Sequence, residues 1–329
     1  MENKKEKIKT IKEIEIEGVL YLCKIDNNSK IAIGMAGNKL SIYTSDISTK
    51  LATINDIPSY FLYELPEKTN RNGIKLLCCS YSYQIKMYEL LFRENHKFEY
   101  NILYTIEPNE SRKEISKAIE LNNEKKNIAS IDEYNIIIYE LLTTNKYIET
   151  KKIPAKGVND ILNINEKIFC VSLPNKGIIQ FYDSDTFELI SEIKKIECYG
   201  CNNYNSLCKL NDDILCVGGF EYISLLDINL KQLNNKIHLI KNKERITSTC
   251  WILEKKWLIT GTKYKKDDNE YEYEHDIIVY KLNNDNILEE IKRFQNTHSL
   301  IIYSIIYING NIISCSQDNK IKIWPLLDN

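Results

Sequence analysis

Polar and apolar residues alternate through the stretch NTHSLIIYSIIYINGNIISCSQDNKIKIWPLLDN, from Asn296 to Asn329. Its β-branched runs IIYSIIYI, NIISCS and KIKIW are split by Asn309-Gly310 and by Gln317-Asp318-Asn319, residue types that turn the chain. Three strands in succession are therefore predicted. Pro325 stops the third, and a fourth strand to cover its edge must come from elsewhere in the chain.

The ending of that third strand recurs. LSIYT, IKMYE, IIIYE, IQFYD, ISLLD, IIVYK and IKIWP align on Tyr43, Tyr88, Tyr139, Tyr182, Leu226, Tyr280 and Trp324, spaced by 45, 51, 43, 44, 54 and 44 residues. A period of about 40–45 residues is that of a four-stranded propeller blade. The expected fold is all-β, a seven-bladed β-propeller of four-stranded antiparallel blades occupying 1–329 as one domain. A chain of 329 residues can hold one such domain because each blade packs only on its neighbours. The 43% hydrophobic content and 22 tyrosines, against 11 glycines and 6 prolines, suit a strand-rich chain.

Naming the strands of a blade a to d from the axis outward, blade 1 is expected at Val19–Ile25, Lys30–Met35, Lys39–Tyr43 and Lys50–Ile54. Blade 2 follows at Tyr60–Leu65, Ile74–Cys79, Gln84–Tyr88 and Phe98–Thr105, with longer connections at 66–73 and 91–97. Blade 3 takes Ile115–Leu121, Lys126–Ile131, Asn135–Tyr139 and Lys146–Ile153. Its first segment, EISKAIEL, also fits a short helix by periodicity, but the repeat spacing favours a strand. Blade 4 is placed at Val158–Ile164, Lys167–Ser172, Gly177–Tyr182 and Phe187–Ile193. Blade 5 runs through Asn205–Leu210, Ile214–Gly218, Tyr222–Leu226 and Lys236–Ile240. Blade 6 is expected at Ile246–Leu253, Trp257–Thr262, Ile277–Leu282 and Leu288–Arg293. Between its strands b and c sits an insertion, KYKKDDNEYEYEH at 263–275.

Four residues give the last unit its character. His298 precedes the first strand, Ser304 lies six residues on, Asp318 sits in the turn between the second and third strands, and Trp324 follows it by six. This pattern resembles a WD repeat. The resemblance implies that His298, Ser304, Asp318 and Trp324 form a buried hydrogen-bonded chain with a structural role. It further implies that residues 7–16, KIKTIKEIEI, supply the missing strand d of blade 7 beside 300–325 and close the ring. The other units depart from the pattern; blade 6 keeps Ser248 alone, and Tyr or Leu replaces Trp elsewhere.

The function implied by the resemblance is a non-enzymatic scaffold that mediates protein–protein interactions through the top face, where each strand a begins. Partners would be one or more proteins or peptides, within a multi-protein complex. Three positions per blade are marked, two flanking the start of strand a and one in the b-to-c turn. They read Leu20, Phe61, Tyr81, Asp132, Asn159, Asn175, Asn205, Arg245, Thr247, Lys263, Ile301, Tyr303 and Gln317. Phe61, Tyr81, Arg245 and Tyr303 lead as interaction hot spots, since aromatic and Arg side chains dominate such sites. Tyr271 and Tyr273 in the insertion join them.

Charge narrows the classes. The 44 basic and 46 acidic side chains give a net charge of −2. No nucleic-acid partner is expected from that balance, and the only arginines are Arg71, Arg93, Arg112, Arg245 and Arg293. No apolar run is long enough to span a membrane and the start lacks a leader pattern, so an intracellular, cytoplasmic and monomeric protein is expected. A phosphoinositide-binding propeller is the alternative, but the paired-Arg motif FRRG of that family is missing, and Lys241, Lys243 and Arg245 in KNKER do not match it.

Candidate chemistry is sparse. Cys198 and Cys201 form a CxxC pair without a second pair or nearby His to complete a zinc site, so no metal is expected. Cys23, Cys78, Cys170, Cys208, Cys216, Cys250 and Cys315 fall within predicted strands as small hydrophobes. Phosphate-loop, dinucleotide, nucleophile-elbow and zinc-protease motifs are absent, and His96, His238, His275 and His298 are dispersed. No cofactor and no enzymatic activity are expected.

Overall fold

The computed structural model describes residues 10, 12–57, 60–69, 71–79, 84–93, 98–106, 115–122, 125–142, 146–194, 196, 207–229, 232–238, 244–265 and 273–326. Strand β1 (Lys12–Glu15) stands apart from the first blade, which comprises β2 (Val19–Ile25), β3 (Lys30–Met35), β4 (Lys39–Thr44) and β5 (Lys50–Asn55). Blade 2 is β6 (Phe61–Glu64), β7 (Ile74–Cys79), β8 (Ile85–Phe92) and β9 (Phe98–Ile106). Blade 3 is β10 (Lys117–Asn122), β11 (Asn127–Ile131), β12 (Asn135–Leu141) and β13 (Tyr147–Pro154). Blade 4 is β14 (Asp160–Asn165), β15 (Ile168–Leu173), β16 (Ile178–Asp183) and β17 (Leu189–Ile193). Blade 5 is β18 (Leu207–Lys209), β19 (Ile214–Gly218), β20 (Tyr222–Asp227) and β21 (Gln232–His238). Blade 6 is β22 (Arg245–Ile252), β23 (Trp257–Lys265), β24 (Tyr273–Leu282) and β25 (Leu288–His298). Blade 7 takes β26 (Ile302–Ile308), β27 (Asn311–Ser316) and β28 (Lys320–Pro325).

Each blade is a four-stranded antiparallel sheet, and the seventh has the order β1-β28-β27-β26. The ring is therefore closed by the N-terminal strand, with Lys12 opposite Ile323 and Ile14 opposite Ile321. The observed strand Lys12–Glu15 is the C-terminal part of the predicted 7–16 segment. Ion pairs from Glu13 to Lys320 (2.5 Å) and Lys322 (3.2 Å) flank the closure. Around the axis, β2, β6, β10, β14, β18, β22 and β26 touch one another in succession, and β26 returns to β2.

The apolar faces of adjacent blades meet to form the core. Leu40, Ile42, Leu76 and Tyr88 pack between blades 1 and 2, while Ile31, Ile33, Ile313 and Ile321 pack between blades 1 and 7. Tyr88 and Tyr139 are fully buried, so tyrosine fills the volume that Trp324 occupies in the last blade. Strand alternation explains the placement: in β13, YIETKKIP, every second side chain turns outward.

One irregularity repeats. In six blades the pairing of strand c with strand d slips by one residue at Tyr43, Tyr88, Tyr139, Tyr182, Leu226 or Tyr280. The outer strand bulges opposite the residue that marks the repeat. Such bulges increase local twist and make an outer edge a poorer template for pairing with another chain. At the Asn309-Gly310 hairpin both residues take the left-handed region, at φ 49° and 80°, as a two-residue turn between twisted strands requires.

Several boundaries differ from the sequence expectation, three of them in ways that matter here. Leu91 and Phe92 continue β8, where Phe92 packs on Phe98 of β9, rather than opening a loop. The outer strand of blade 5 starts at Gln232 instead of Lys236. In blade 6, β23 and β24 run into the 263–275 insertion as a lengthened hairpin, pairing Tyr264 with Glu274 and Lys265 with Tyr273. Within EISKAIEL, Lys117–Leu121 lie in strand β10 and not in a helix.

Candidate partner-binding face

At the end of the ring where the first strands begin, three of them open with a bulge. The pairing of β2 with β3, β22 with β23 and β26 with β27 slips by one residue, leaving Leu20, Thr247 and Tyr303 as the extra residues. A bulge re-aims a side chain at the rim of a sheet. Leu20 and Tyr303 are half-buried, whereas Thr247 is buried and its hydroxyl has no partner.

Blades 5 and 6 collect the densest group. Arg245 lies directly across from Lys263, and the guanidinium of Arg245 stands 5.6 Å from the Phe220 ring centre. The Lys263 ammonium stands 4.0 Å over the ring of Tyr273, itself 46% exposed. Burial, and then the adjacent Arg245 charge, lower the pKa of Lys263. Behind it, His275 is buried with Nδ1 unpartnered. Burial first, then the Lys263 and His298 charges, push its pKa down to about 4.

Nearby, the outer strand of blade 6 is anchored by Arg293. Its guanidinium donates to Glu244 (2.8 Å), Asp276 (3.1 Å) and Glu290 (2.9 Å). Glu244 and Asp276 are fully buried, and the second Glu244 oxygen has no partner. This fixes the connection that leads into Arg245.

Several expected contact residues have other work. Phe61 is buried rather than presented, tilted against Tyr21 (5.0 Å) and covered by the Lys117 ammonium (4.9 Å). Asp132 is also buried, because its carboxylate accepts the backbone N–H groups of Tyr134 and Asn135 at 2.7 Å and shapes its own turn. Asn159 and Ile301 are half-buried; Asn175 and Gln317 are exposed. Tyr81, Asn205 and Tyr271 lie outside the described residues, as do Cys198 and Cys201.

The tetrad of the last blade is assembled through a different serine. His298 Nδ1 meets Asp318 at 3.0 Å, and His298 Nε2 meets the Ser314 hydroxyl at 2.8 Å. The Trp324 indole N–H donates to that same oxygen at 3.0 Å. Ser304 is not a member, because its hydroxyl faces the Leu22 carbonyl of blade 1 at 3.5 Å. Ser314 is the correct bridge because it stands on β27, between the His298 and Trp324 side chains. Burial lowers the pKa of His298 against the pull of Asp318. Burial alone would raise Asp318, but the His298 bond and charge, with the N–H groups of Ser299 and Lys320, hold it down to about 2. A neutral His298 donating from Nδ1 and accepting from Ser314 satisfies every member.

No protein-family model matches the chain, and no curated protein matches it in sequence. Solved structures resemble it in fold. The β-propeller domain of Cps50 (Swd1) from Myceliophteria thermophila has a TM-score of 0.71 at 11% identity, covering 97% of this chain and 100% of that one. The WD40 repeats of RRP9 give 0.70 at 11% identity, covering 98% of each chain. The chain has the WD40 propeller fold.

The other blades of this propeller hold only parts of such a tetrad. Ser130 of β11 and Thr260 of β23 hold the register position of Ser314, yet neither buried hydroxyl has a partner. Their blades carry Tyr139 and Tyr280 where Trp324 stands. Ser248 likewise has no partner. Among the described residues no His, Cys, Asp and Glu side chains gather as a metal site. No described helix is long and apolar enough to cross a membrane.

Sequence reasoning missed Phe220, Lys117 and Asp160. Phe220 occupies the b-to-c turn of blade 5, one residue past Gly219, which the repeat spacing sets level with Gln317, so the alignment pointed beside it. Lys117 and Asp160 open the first strands of blades 3 and 4, and their ammonium and carboxylate meet at 2.6 Å. No local motif marks that pair.

Proposed function

We propose that this WD40 propeller is a non-enzymatic scaffold that binds protein partners on the face where its first strands begin. The observation that carries the reading is the collection of aromatic side chains on that face. Tyr60 (37% exposed) comes from blade 2, Phe220 from blade 5, Tyr273 (46% exposed) from blade 6 and Tyr303 from blade 7. Aromatic and Arg side chains on a rigid rim bind with little loss of conformational entropy, which is what protein interfaces reward. The near-neutral charge supports protein rather than nucleic-acid partners, and an intracellular site and a monomeric state go with this reading.

Affinity purification with mass spectrometry tests it, comparing the intact chain with a Tyr60→Ala/Tyr303→Ala variant of equal thermal midpoint. The scaffold reading expects the variant to lose its partner set. An unchanged set, or one lost only on altering the opposite face, would refute it.

A further inference from the structure

We propose that Arg245 and Lys263 form an anion-recognising subsite for a short acidic segment of a protein partner. The inference rests on the scaffold reading and specifies the chemistry of its partner. Arg245 and Lys263 are direct cross-strand neighbours on β22 and β23, an arrangement in which like charges repel. Two of the cations most withdrawn from water among the described residues are neutralised: Lys117 by Asp160, and Arg293 by Glu244, Asp276 and Glu290. Among the described residues, Arg245 and Lys263 meet aromatic rings in place of carboxylates.

Those rings make the pair a preformed site. Phe220 and Tyr273 hold the two cations by cation–π attraction, so less ordering remains to be done when an anion arrives. The guanidinium offers a planar fork matched to two carboxylate oxygens, and the ammonium adds a second point charge. Lys263 is partly withdrawn from water, which strengthens its attraction for a partner charge. Tyr273 offers exposed aromatic surface to a residue beside the acid.

The remaining rim favours a peptide over a polyanion. A nucleic-acid backbone requires a regular succession of cations. Of the contact positions marked by the repeat, the other described ones carry no cation, among them Leu20, Asn159, Asn175, Tyr303, Gln317 and Asp132. Two cations flanked by aromatic and neutral groups match a brief acidic motif with apolar neighbours.

The test is binding of the full chain to an array of synthetic peptides in which Glu and Asp density varies and the flanking residues are randomised. Fluorescence anisotropy then follows the selected peptides and their Gln and Asn counterparts. Acidic peptides should be selected, their amide counterparts should bind at least about tenfold more weakly, and salt should weaken binding. Arg245→Gln and Lys263→Met should each weaken it about tenfold or more at an unchanged unfolding midpoint. Arg245→Glu should shift selection toward Lys-containing peptides. Equal binding of the amide counterparts, indifference to both substitutions, or no selection of acidic peptides would overturn the proposal. Binding confined to a single-stranded DNA oligonucleotide or phosphatidylserine vesicles would overturn it too. Partner capture that still depends on Tyr60 and Tyr303 would then leave the scaffold reading standing.

Discussion

Lys117 and Asp160 join the first strands of blades 3 and 4 through a 2.6 Å contact in which both side chains are withdrawn from water. The same carboxylate also accepts the Ile161 N–H at 2.8 Å and, from blade 5, the Leu207 N–H at 2.9 Å. On the other side the Lys117 ammonium covers Phe61 of blade 2. Four consecutive blades are thus tied at the inner rim.

A buried ion pair of this kind is weak evidence for net stability, but removing one partner leaves a charge stranded. Asp160→Ala should therefore cost about 3–5 kcal/mol in urea unfolding. The double variant Lys117→Met/Asp160→Leu should recover much of that loss. Equal destabilisation by the single and double variants would show that the backbone bonds to Ile161 and Leu207, not the charge pair, dominate.

Ser314 gives a second prediction because two serines compete for one role. Ser314→Ala removes the hydroxyl shared by His298 and Trp324 and should cost about 1–3 kcal/mol, with a change in Trp324 fluorescence. Ser304→Ala removes only a long contact to the Leu22 carbonyl and should cost less than about 0.5 kcal/mol. Reversed magnitudes would restore Ser304 to the tetrad.

These cases show what a sequence conveys here and what it withholds. The blades are legible because Tyr43 to Trp324 end the third strands at near-constant spacing, a consequence of packing one wedge against the next. Closure by the N-terminal strand is legible because β28 lacks an outer neighbour of its own. Ser304 and Ser314 stand on neighbouring strands, β26 and β27, and spacing from His298 does not encode which hydroxyl reaches the ring. Phe61 reads as a rim aromatic until Tyr21 and Lys117 are seen to cover it. Lys117 and Asp160 become neighbours only when blades meet around the axis. Arg245 and Lys263 carry readable positions, while their aromatic partners depend on how the blade 5 turn and the lengthened hairpin lie.

Acid should weaken the fold in two stages. Burial pushes the pKa of His275 down to about 4 from the ordinary 6.5, and lowers that of His298. The unfolded chain therefore binds protons that the folded chain refuses, so stability is full above about pH 6.5 and falls as pH drops toward 4. Asp318, held at about 2 against an ordinary 3.8, adds a further loss between about pH 4 and 2. Glu120 acts in the opposite sense, because burial raises its pKa to about 7 and its contribution is lost as pH rises through that value. Relative to the wild type, His275→Gln should gain about 1–3 kcal/mol as pH falls from 7 to 4. Glu120→Gln should gain as pH rises from about 5 to 8. Urea midpoints across that range measure both slopes, and parallel curves for variant and wild type would contradict the assignment.

The closing strand offers the most direct test of architecture. β1 pairs with β28 in a register that places Ile14 opposite Ile321, and Ile16 packs with Val19, Ile308 and Ile323 between blades 7 and 1. Beyond it, Ile16 N–H donates to the Asn319 carbonyl at 2.8 Å and Gly18 N–H donates to the Asn319 side chain at 2.9 Å. Deleting residues 1–17 removes Ile14 and Ile16 from this core, a loss of about 3 kcal/mol or more together. It also leaves the donors and acceptors of β28 unpaired along a flat edge. Where β28 pairs with β1 no bulge interrupts the ladder, unlike the outer strands of the other six blades, so the bared edge would be a good template for pairing between molecules. The truncated chain should unfold at lower urea and self-associate in sedimentation velocity. Adding a synthetic peptide of residues 7–17 should reverse both effects, because it restores the missing strand. A truncated chain that stays monomeric at an unchanged midpoint would mean that blade 7 is held by its contacts with blades 6 and 1 alone.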